Sequence, residues 1–330
     1  MKVLYIGGTG NISAASSRLA VKSGIDLYLL NRGTGSVKIK GATNIVADHS
    51  DKNAVAEAVK GQKWDVVVNW IAFTPEDVKR DFEIFKGHTR QYIFISSASA
   101  YQKPGGHPVI TESTPLYNPY WQYSRDKIAC EDYLTQRFRN DSFPITIVRP
   151  SLTYDTVIPV PLCGWKDFTI IERIRHGKEV IIHGDGTSLW TITHSEDFAK
   201  GFNGLLGHRQ SIGHSFHITS DEIMTWNQIY EWVAEAAGAP LKAVHIPSDF
   251  IARFDEHSYG SLIGDKAQSV IFDNSKIKRF VPGFRAVIPF SEGIKRTIRW
   301  FEEEPGRIQI DPARGDLVDR IIGAYKQCFG

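Results

Sequence analysis

Six short runs of almost continuous apolar residues, VLYIGG, DLYLLN, TNIVAD, DVVVNW, QYIFISS and ITIVRP, recur between residues 3 and 150. Between them lie ISAASSRLAVKSG, DKNAVAEAVKG, PEDVKRDFEIFKG and YSRDKIACEDYLTQRFRN, whose apolar positions return at helical spacing. A strand with one wet face alternates apolar and polar residues, whereas one that is apolar at nearly every position is covered on both faces. Strands of that kind alternating with helices predict an α/β fold of the Rossmann type, a doubly wound parallel sheet with helices on both sides. After VRPSLTY the rhythm changes to the proline-punctuated TVIPVPLCGW, a helix near 166–177, the strand EVIIHG and further mixed elements, with no internal repeat. The expected division is 1–160 for the Rossmann domain, with return segments near 190–220, and 161–330 for a smaller C-terminal α/β lobe. That lobe would cover the carboxyl edge of the sheet, where open α/β folds bind their ligands.

Composition narrows the classes without choosing among them. Of 330 residues, 42% are hydrophobic and 23% charged, which is ordinary for a folded, water-soluble chain. A formal net charge of +2 and the absence of long like-charge blocks predict no nucleic acid partner and no membrane surface. Cys130, Cys163 and Cys328 form no CxxC pair, so neither a disulfide framework nor a metal site is expected. Met1 runs directly into the strand KVLYIGG and no stretch approaches ~18 apolar residues, which predicts no signal peptide, no spanning helix and a cytoplasmic location.

Specific chemistry begins at the first strand–helix turn, YIGGTGNIS. Gly8, Gly10 and Ser13 fit a G-x-G-x-x-G/A pattern with serine last, and the pattern follows a strand and opens a helix. The glycines permit a tight turn and a bare backbone, and the helix N–H groups point at an anion, so Gly7 to Ile12 (Gly7, Gly8, Thr9, Gly10, Asn11, Ile12) are candidate dinucleotide contacts. A reader of NAD usually carries an acid after the second strand to bind the adenine ribose. Here the segment is LLNRG: Asn31 is uncharged and Arg32 can pair with a 2′-phosphate, which favours NADP over NAD. Asp48, one strand later, is a candidate for the adenine amino group, although an acid before DKNAVAEAV also suits a helix N-cap.

The segment YWQYSRDK places Tyr123 and Lys127 four residues apart, on one helical face. Such a pair is common by chance, but this one opens the helix between the fifth and sixth strands, and the fifth strand ends in the hydroxyl run ISSASAY. A phenol is a poor acid or base at neutral pH unless a neighbouring ammonium favours the phenolate, and a serine hydroxyl can orient a substrate oxygen beside it. Ser96, Ser97 and Ser99 all qualify for that last role on spacing alone.

Together GGTGNIS, ISSASAY, YSRDK, VRPSLTY, GDGTSLWTITHSEDFA and FDNSKIKRFVPGF resemble the extended short-chain dehydrogenase/reductase family, the NAD(P)-dependent sugar epimerases and dehydratases. The resemblance spans nearly the whole chain. It implies Ser97, Tyr123 and Lys127 as the catalytic trio, with Ala72 and Pro150 joining the cofactor contacts named above. It also implies a small, sugar-like substrate contacted at Ser99 and Trp190, and a homodimer. Two positions depart from the family pattern. Nucleotide-sugar members usually have an arginine for the substrate diphosphate where this chain has Trp190, and Asp126 stands where serine is usual before the lysine. Three functions are compatible: an epimerase or dehydratase, an NADPH-dependent carbonyl reductase of a non-nucleotide substrate, or a non-catalytic nucleotide-sensing or RNA-binding relative.

Overall fold

The computed structural model describes residues 1–35 and 37–329. Its centre is a seven-stranded parallel sheet: β1 (Lys2–Ile6), β2 (Asp26–Asn31), β3 (Thr43–Val46), β4 (Val66–Asn69), β5 (Tyr92–Ile95), β6 (Ile145–Arg149) and β7 (Ser215–His217). The spatial order is β7-β6-β5-β4-β1-β2-β3. Strand order reverses beside β1, which opens a crevice at the carboxyl ends of β1 and β4.

Both faces of this sheet are covered, which is why the apolar runs do not alternate. Successive side chains of a strand point to opposite faces. In β1, Val3 and Tyr5 join Leu27, Leu29, Val66, Val68, Ile93 and Ile95 in one core. Leu4 and Ile6 join Leu30, Val67, Tyr92, Phe94, Ile145 and Ile147 in the core opposite. The exception is β3, the last strand of the sheet: three of its four residues are exposed, so its apolar reading does not reflect two-sided burial.

Helices α1 (Ser13–Lys22), α2 (Lys52–Ala58), α3 (Pro75–Phe85) and α4 (Gln122–Asp141) connect these strands. Asp51 caps α2, accepting the Asn53 and Ala54 N–H groups at 2.9 and 3.0 Å. Pro75 starts α3, and Asp77 reaches back to accept the Thr74 N–H at 3.0 Å. This fixes the loop after β4, residues 70–74, which matters below.

The second half builds its own core around Phe168, Ile171, Trp190, Trp226, Tyr230, Ile294 and Phe301. It carries α5 (Thr169–Arg175), α6 (Ser195–Asn203), α7 (Trp226–Ala237), α8 (Phe290–Glu303) and α9 (Pro312–Phe329), with the parallel strand pair Val180–His183 and Ala243–Ile246. The helix expected over 166–177 is α5, shortened because Asp167 turns its carboxylate onto the Thr169 N–H at 2.9 Å. Chain order and spatial order then part. From α6, Phe198 and Phe202 pack in the Tyr5 core of the first half, as do Phe216, Ile277 and Phe284. The chain thus crosses back to the Rossmann sheet twice. Among the described residues no helix is long and apolar enough to cross a membrane, no group of acidic, Cys or His side chains could hold a metal, and all three cysteines are free.

Candidate active site

The turn after β1 is built for close approach. Gly7 and Gly8 have φ of +91° and +98°, values that side chains rarely tolerate. A Cβ on Gly8 would lie 2.7 Å from the buried Leu29 side chain. The tight contact between helix and sheet is made here, where Ser17 donates its hydroxyl to the Gly8 carbonyl at 2.7 Å. Ser13, the last residue of the pattern, accepts the Gly10 N–H at 2.8 Å and clamps the turn. The first turn of α1 holds no acidic residue and no side-chain cap, and a Cβ on Gly10 would meet nothing nearer than Ser13 Oγ at 3.5 Å. Open space in front of uncapped helix N–H groups fits the pyrophosphate of a dinucleotide. Gly8→Ala is expected to lower unfolding free energy by about 1–3 kcal/mol through backbone strain. Urea denaturation checks this, and an unchanged midpoint would count against the strained turn.

Asn11 ties this turn to the second half. Its Nδ2 donates to the Thr153 carbonyl at 2.8 Å, and its own carbonyl accepts the Ser195 hydroxyl at 2.9 Å. The turn therefore forms one wall of a continuous cavity of about 1350 Å³. Gly7 to Ser13, Arg32, Trp70, Ile71 and Phe73 line it on the β1–β4 side. Ser96 to Ser99, Tyr123, Lys127 and Pro150 to Thr153 follow, at the ends of β5 and β6 and the start of α4. Tyr101, Lys103, Trp121, Trp190, Asp265, Lys266 and residues 159–166 belong to the same wall from the second half and the loops facing it.

Three of the expected cofactor contacts are not on that wall. Asn31 turns its Oδ1 onto the Gly33 N–H at 2.9 Å, shaping the turn that presents Arg32. Asp48 accepts the Ser50 N–H and hydroxyl at 2.9 and 2.7 Å, and these bonds hold its carboxyl below the usual range. Ala72 is buried, and its carbonyl accepts Lys127 Nζ at 2.7 Å.

The serine candidates separate by their partners. Ser96 donates to Glu131 Oε1 at 2.5 Å, inside a buried ion pair in which Arg149 grips both Glu131 oxygens. Ser97 faces the cavity, 2.9 Å from Ser99 Oγ, and Ser99 in turn accepts from Ser124 at 2.8 Å. The Ser97 hydroxyl beside it pulls the Tyr123 phenol down, yet burial outweighs this and pushes the phenol up to about 12. The ammonium of Lys127 makes no direct hydrogen bond to the phenol. Lys127 spends its donors on the Ala72 and Ile95 carbonyls at 2.7 and 2.8 Å, and lies 5.7 Å from the Tyr123 ring centre. Burial also lowers the lysine itself to about 8. Ile95 ends β5 and Ala72 lies in the fixed loop after β4, so two strand ends locate this amine.

Asp126 neither pairs with Lys127 nor stands free: it accepts Gln122 Nε2 at 2.7 Å. Asp197 is structural, accepting the Val287 and Ile288 N–H groups at 2.9 and 2.8 Å. Trp190 is 2% exposed, packs 5.6 Å from Trp226 ring to ring and also lines the cavity, so it serves the lobe core and the pocket wall together. Sequence reasoning passed over Lys103, a buried lysine on the same wall. The signal for it was its place six residues beyond Ser97, in the loop that leaves β5.

Comparison with known proteins follows this geometry. The NAD dependent epimerase/dehydratase family model matches residues 82–219, which run from α3 to the end of β7 and β7's following residues. The 2'-dehydrokanamycin reductase of Streptomyces kanamyceticus is 22% identical over 286 residues, spanning 86% of this chain and 80% of that protein. The chloroplast stem-loop binding protein of 41 kDa b of Arabidopsis thaliana is 24% identical, spanning 82% of this chain and 74% of its own length. Among solved structures, dTDP-glucose 4,6-dehydratase from Bacillus anthracis in complex with NAD superimposes with a TM-score of 0.73 at 17% identity, covering 93% of this chain and 98% of that one.

Proposed function

We propose that this chain, which matches the NAD dependent epimerase/dehydratase family model over residues 82–219, is an enzyme of that kind and exchanges hydride between a nicotinamide cofactor and a carbinol or carbonyl carbon of a sugar-like substrate. The observation that carries this reading is the convergence of Ser97, Tyr123 and Lys127 on the cavity that begins at the glycine turn. A bound nicotinamide dinucleotide would be held by Gly7 to Ile12, Arg32 and Pro150, and supplies the hydride acceptor or donor.

The chain's own residues manage the proton. Tyr123 Oη gives a proton to, or takes one from, the substrate oxygen, and Ser97 holds that oxygen by a hydrogen bond. At about 12 the phenol is a neutral donor, suited to protonating an alkoxide as a carbonyl is reduced. Lys127 keeps a positive charge beside the ring, which favours the phenolate when the proton leaves. The tilted ring of Trp121, 5.0 Å from that of Tyr123, and the ring of Phe73 at 6.4 Å pack beside the phenol ring.

Arg32 supports NADP over NAD. It is exposed at the cavity wall and no acid follows β2 in the chain; the nearby Asp48 carboxylate, held by Ser50, would share the guanidinium with a 2′-phosphate. Arg32→Ala is expected to weaken NADP about tenfold or more and to leave NAD nearly unchanged, by titration of each nucleotide. Equal losses for both would remove the NADP assignment. The reading as a whole is tested by the nucleotide released on denaturing purified protein, identified by mass, together with titration of the nucleotide-free chain. Failure to bind either dinucleotide would overturn it.

A second reading, a carbonyl reductase of a non-nucleotide substrate, is favoured by one observation. Trp190 brings an apolar ring, packed on Trp226, where nucleotide-sugar enzymes of this kind usually bring an arginine. An enzyme that completes a cycle on one substrate keeps its cofactor through purification, whereas a reductase exchanges it. The RNA-binding reading predicts salt-sensitive RNA affinity, which the net charge of +2 opposes. A homodimer completes the proposal, and the native mass in solution tests it.

A further inference from the structure

The wall of the cavity contributed by the second half and its facing loops carries a buried ammonium with little to hold it. Lys103 is 3% exposed, yet its Nζ has a single long hydrogen bond, to the Asp265 carbonyl at 3.4 Å, and a loose ion pair with Asp265 Oδ1 at 3.9 Å. An ammonium has three donors, and burying one without full partners is costly. The carboxylate it approaches is shared: Lys266 Nζ lies 3.4 Å from Asp265 Oδ2. Two amines therefore face one carboxylate, and the cluster keeps a positive charge.

Its surroundings call for the same kind of ligand. The Trp190 ring lies 5.8 Å from Lys103 Nζ, and the indole N–H of Trp190 is buried without a partner. A weakly held ammonium and a residue with an unpartnered indole N–H thus meet on the cavity wall. Around the cavity Lys103, Lys166, Lys266 and Arg320 outnumber Asp255 and Asp265, while Arg314 is paired with Asp167 and Asp311. Asp265 also reaches the reacting centre, since its charge bears on the Tyr123 phenol. A group bound at Lys103 and the Tyr123 phenol accordingly share one cavity.

We infer that the substrate carries an anionic oxygen group, a carboxylate or a phosphoryl group, and that Lys103 is the side chain that receives it, with the Trp190 ring as the apolar wall beside it. The inference rests on the functional reading above, and it names the substrate class for that site. Burial lowers the Lys103 ammonium from its ordinary range, so an anion would restore to it the partner it lacks. An aminosugar would meet like charge.

Titration of the cofactor-loaded protein with D-glucose, D-glucuronate, glucose 1-phosphate and D-glucosamine tests this. Glucuronate or glucose 1-phosphate should bind about 10- to 100-fold more tightly than glucose, and glucosamine weakest of all. The stronger of the two anions identifies the group as carboxylate or phosphoryl. Lys103→Met should abolish the preference and Lys103→Arg should restore part of it, with dinucleotide affinity unchanged in both. Arginine rescue separates lost charge from lost folding. Anions binding no better than glucose, a preference that survives Lys103→Met, or glucosamine binding most tightly would overturn the inference. A protein that binds no dinucleotide fails the functional reading instead, and the anion preference of the unloaded chain then decides the Lys103 site by itself.

Discussion

Replacing Tyr123 by phenylalanine is expected to lower turnover by about 10²- to 10⁴-fold while leaving dinucleotide affinity within a factor of two or so of wild type. The substitution removes one oxygen from a ring that is already seated by Trp121 and Phe73, so packing is retained. What disappears is the proton carrier beside Ser97. Because the phenol stands at about 12, the wild-type reductive direction should hold its rate through neutral pH, with no loss traceable to phenol ionisation. Steady-state kinetics with a carbonyl substrate, paired with fluorescence titration of the reduced nucleotide, provides the check. Unchanged turnover in the variant would move the reading to a nucleotide-binding protein without catalysis.

The second large effect concerns Lys127. Its two carbonyl partners favour the ammonium, but burial outweighs them and lowers the group from 10.5 to about 8. Between those two pH values the unfolded chain holds a proton that the folded chain has released. Unfolding then takes up a proton, so this residue makes stability rise with pH across the window. Relative to Lys127→Met, the wild type should therefore gain about 3 kcal/mol between pH 8 and 10.5, with the difference flat below pH 7. Chemical denaturation of both proteins at matched pH values measures this. A difference that stays constant, or falls, as pH rises would mean that the ammonium is kept in the folded chain. The same variant should lose turnover, since no positive charge remains beside the phenol.

Much of this site could be read along the chain because its parts follow strand ends. The glycine turn, Ser97 and Pro150 each come directly after an apolar run, and Tyr123 and Lys127 sit at the start of the helix between two such runs. Local pattern locates residues of this kind, since a parallel sheet places all its carboxyl ends on one edge. The same logic also picked out Asn31, Asp48 and Ala72, which lie off the cavity wall. They also follow strands, but the first two spend their side chains on neighbouring turns and the third its carbonyl on Lys127. Turn geometry of that sort depends on φ and ψ two residues away, which residue type alone leaves open.

By itself the amino-acid sequence determined the layered α/β core, the glycine turn and the spacing of tyrosine and lysine. Each is a local property: two-sided burial demands uninterrupted apolar runs, a φ near +90° favours glycine, and a helical turn brings residues four apart together. Only the tertiary structure decided what lies opposite them. That Phe198, Phe216 and Phe284 complete the first half's core, that Asn11 is tied to Thr153, and that Lys103 meets Asp265 and Trp190 are contacts between segments far apart in the chain. The balance at Tyr123 was settled the same way. Spacing placed an ammonium near the phenol, but burial by segments distant in sequence sets how far each group departs from its ordinary ionisation.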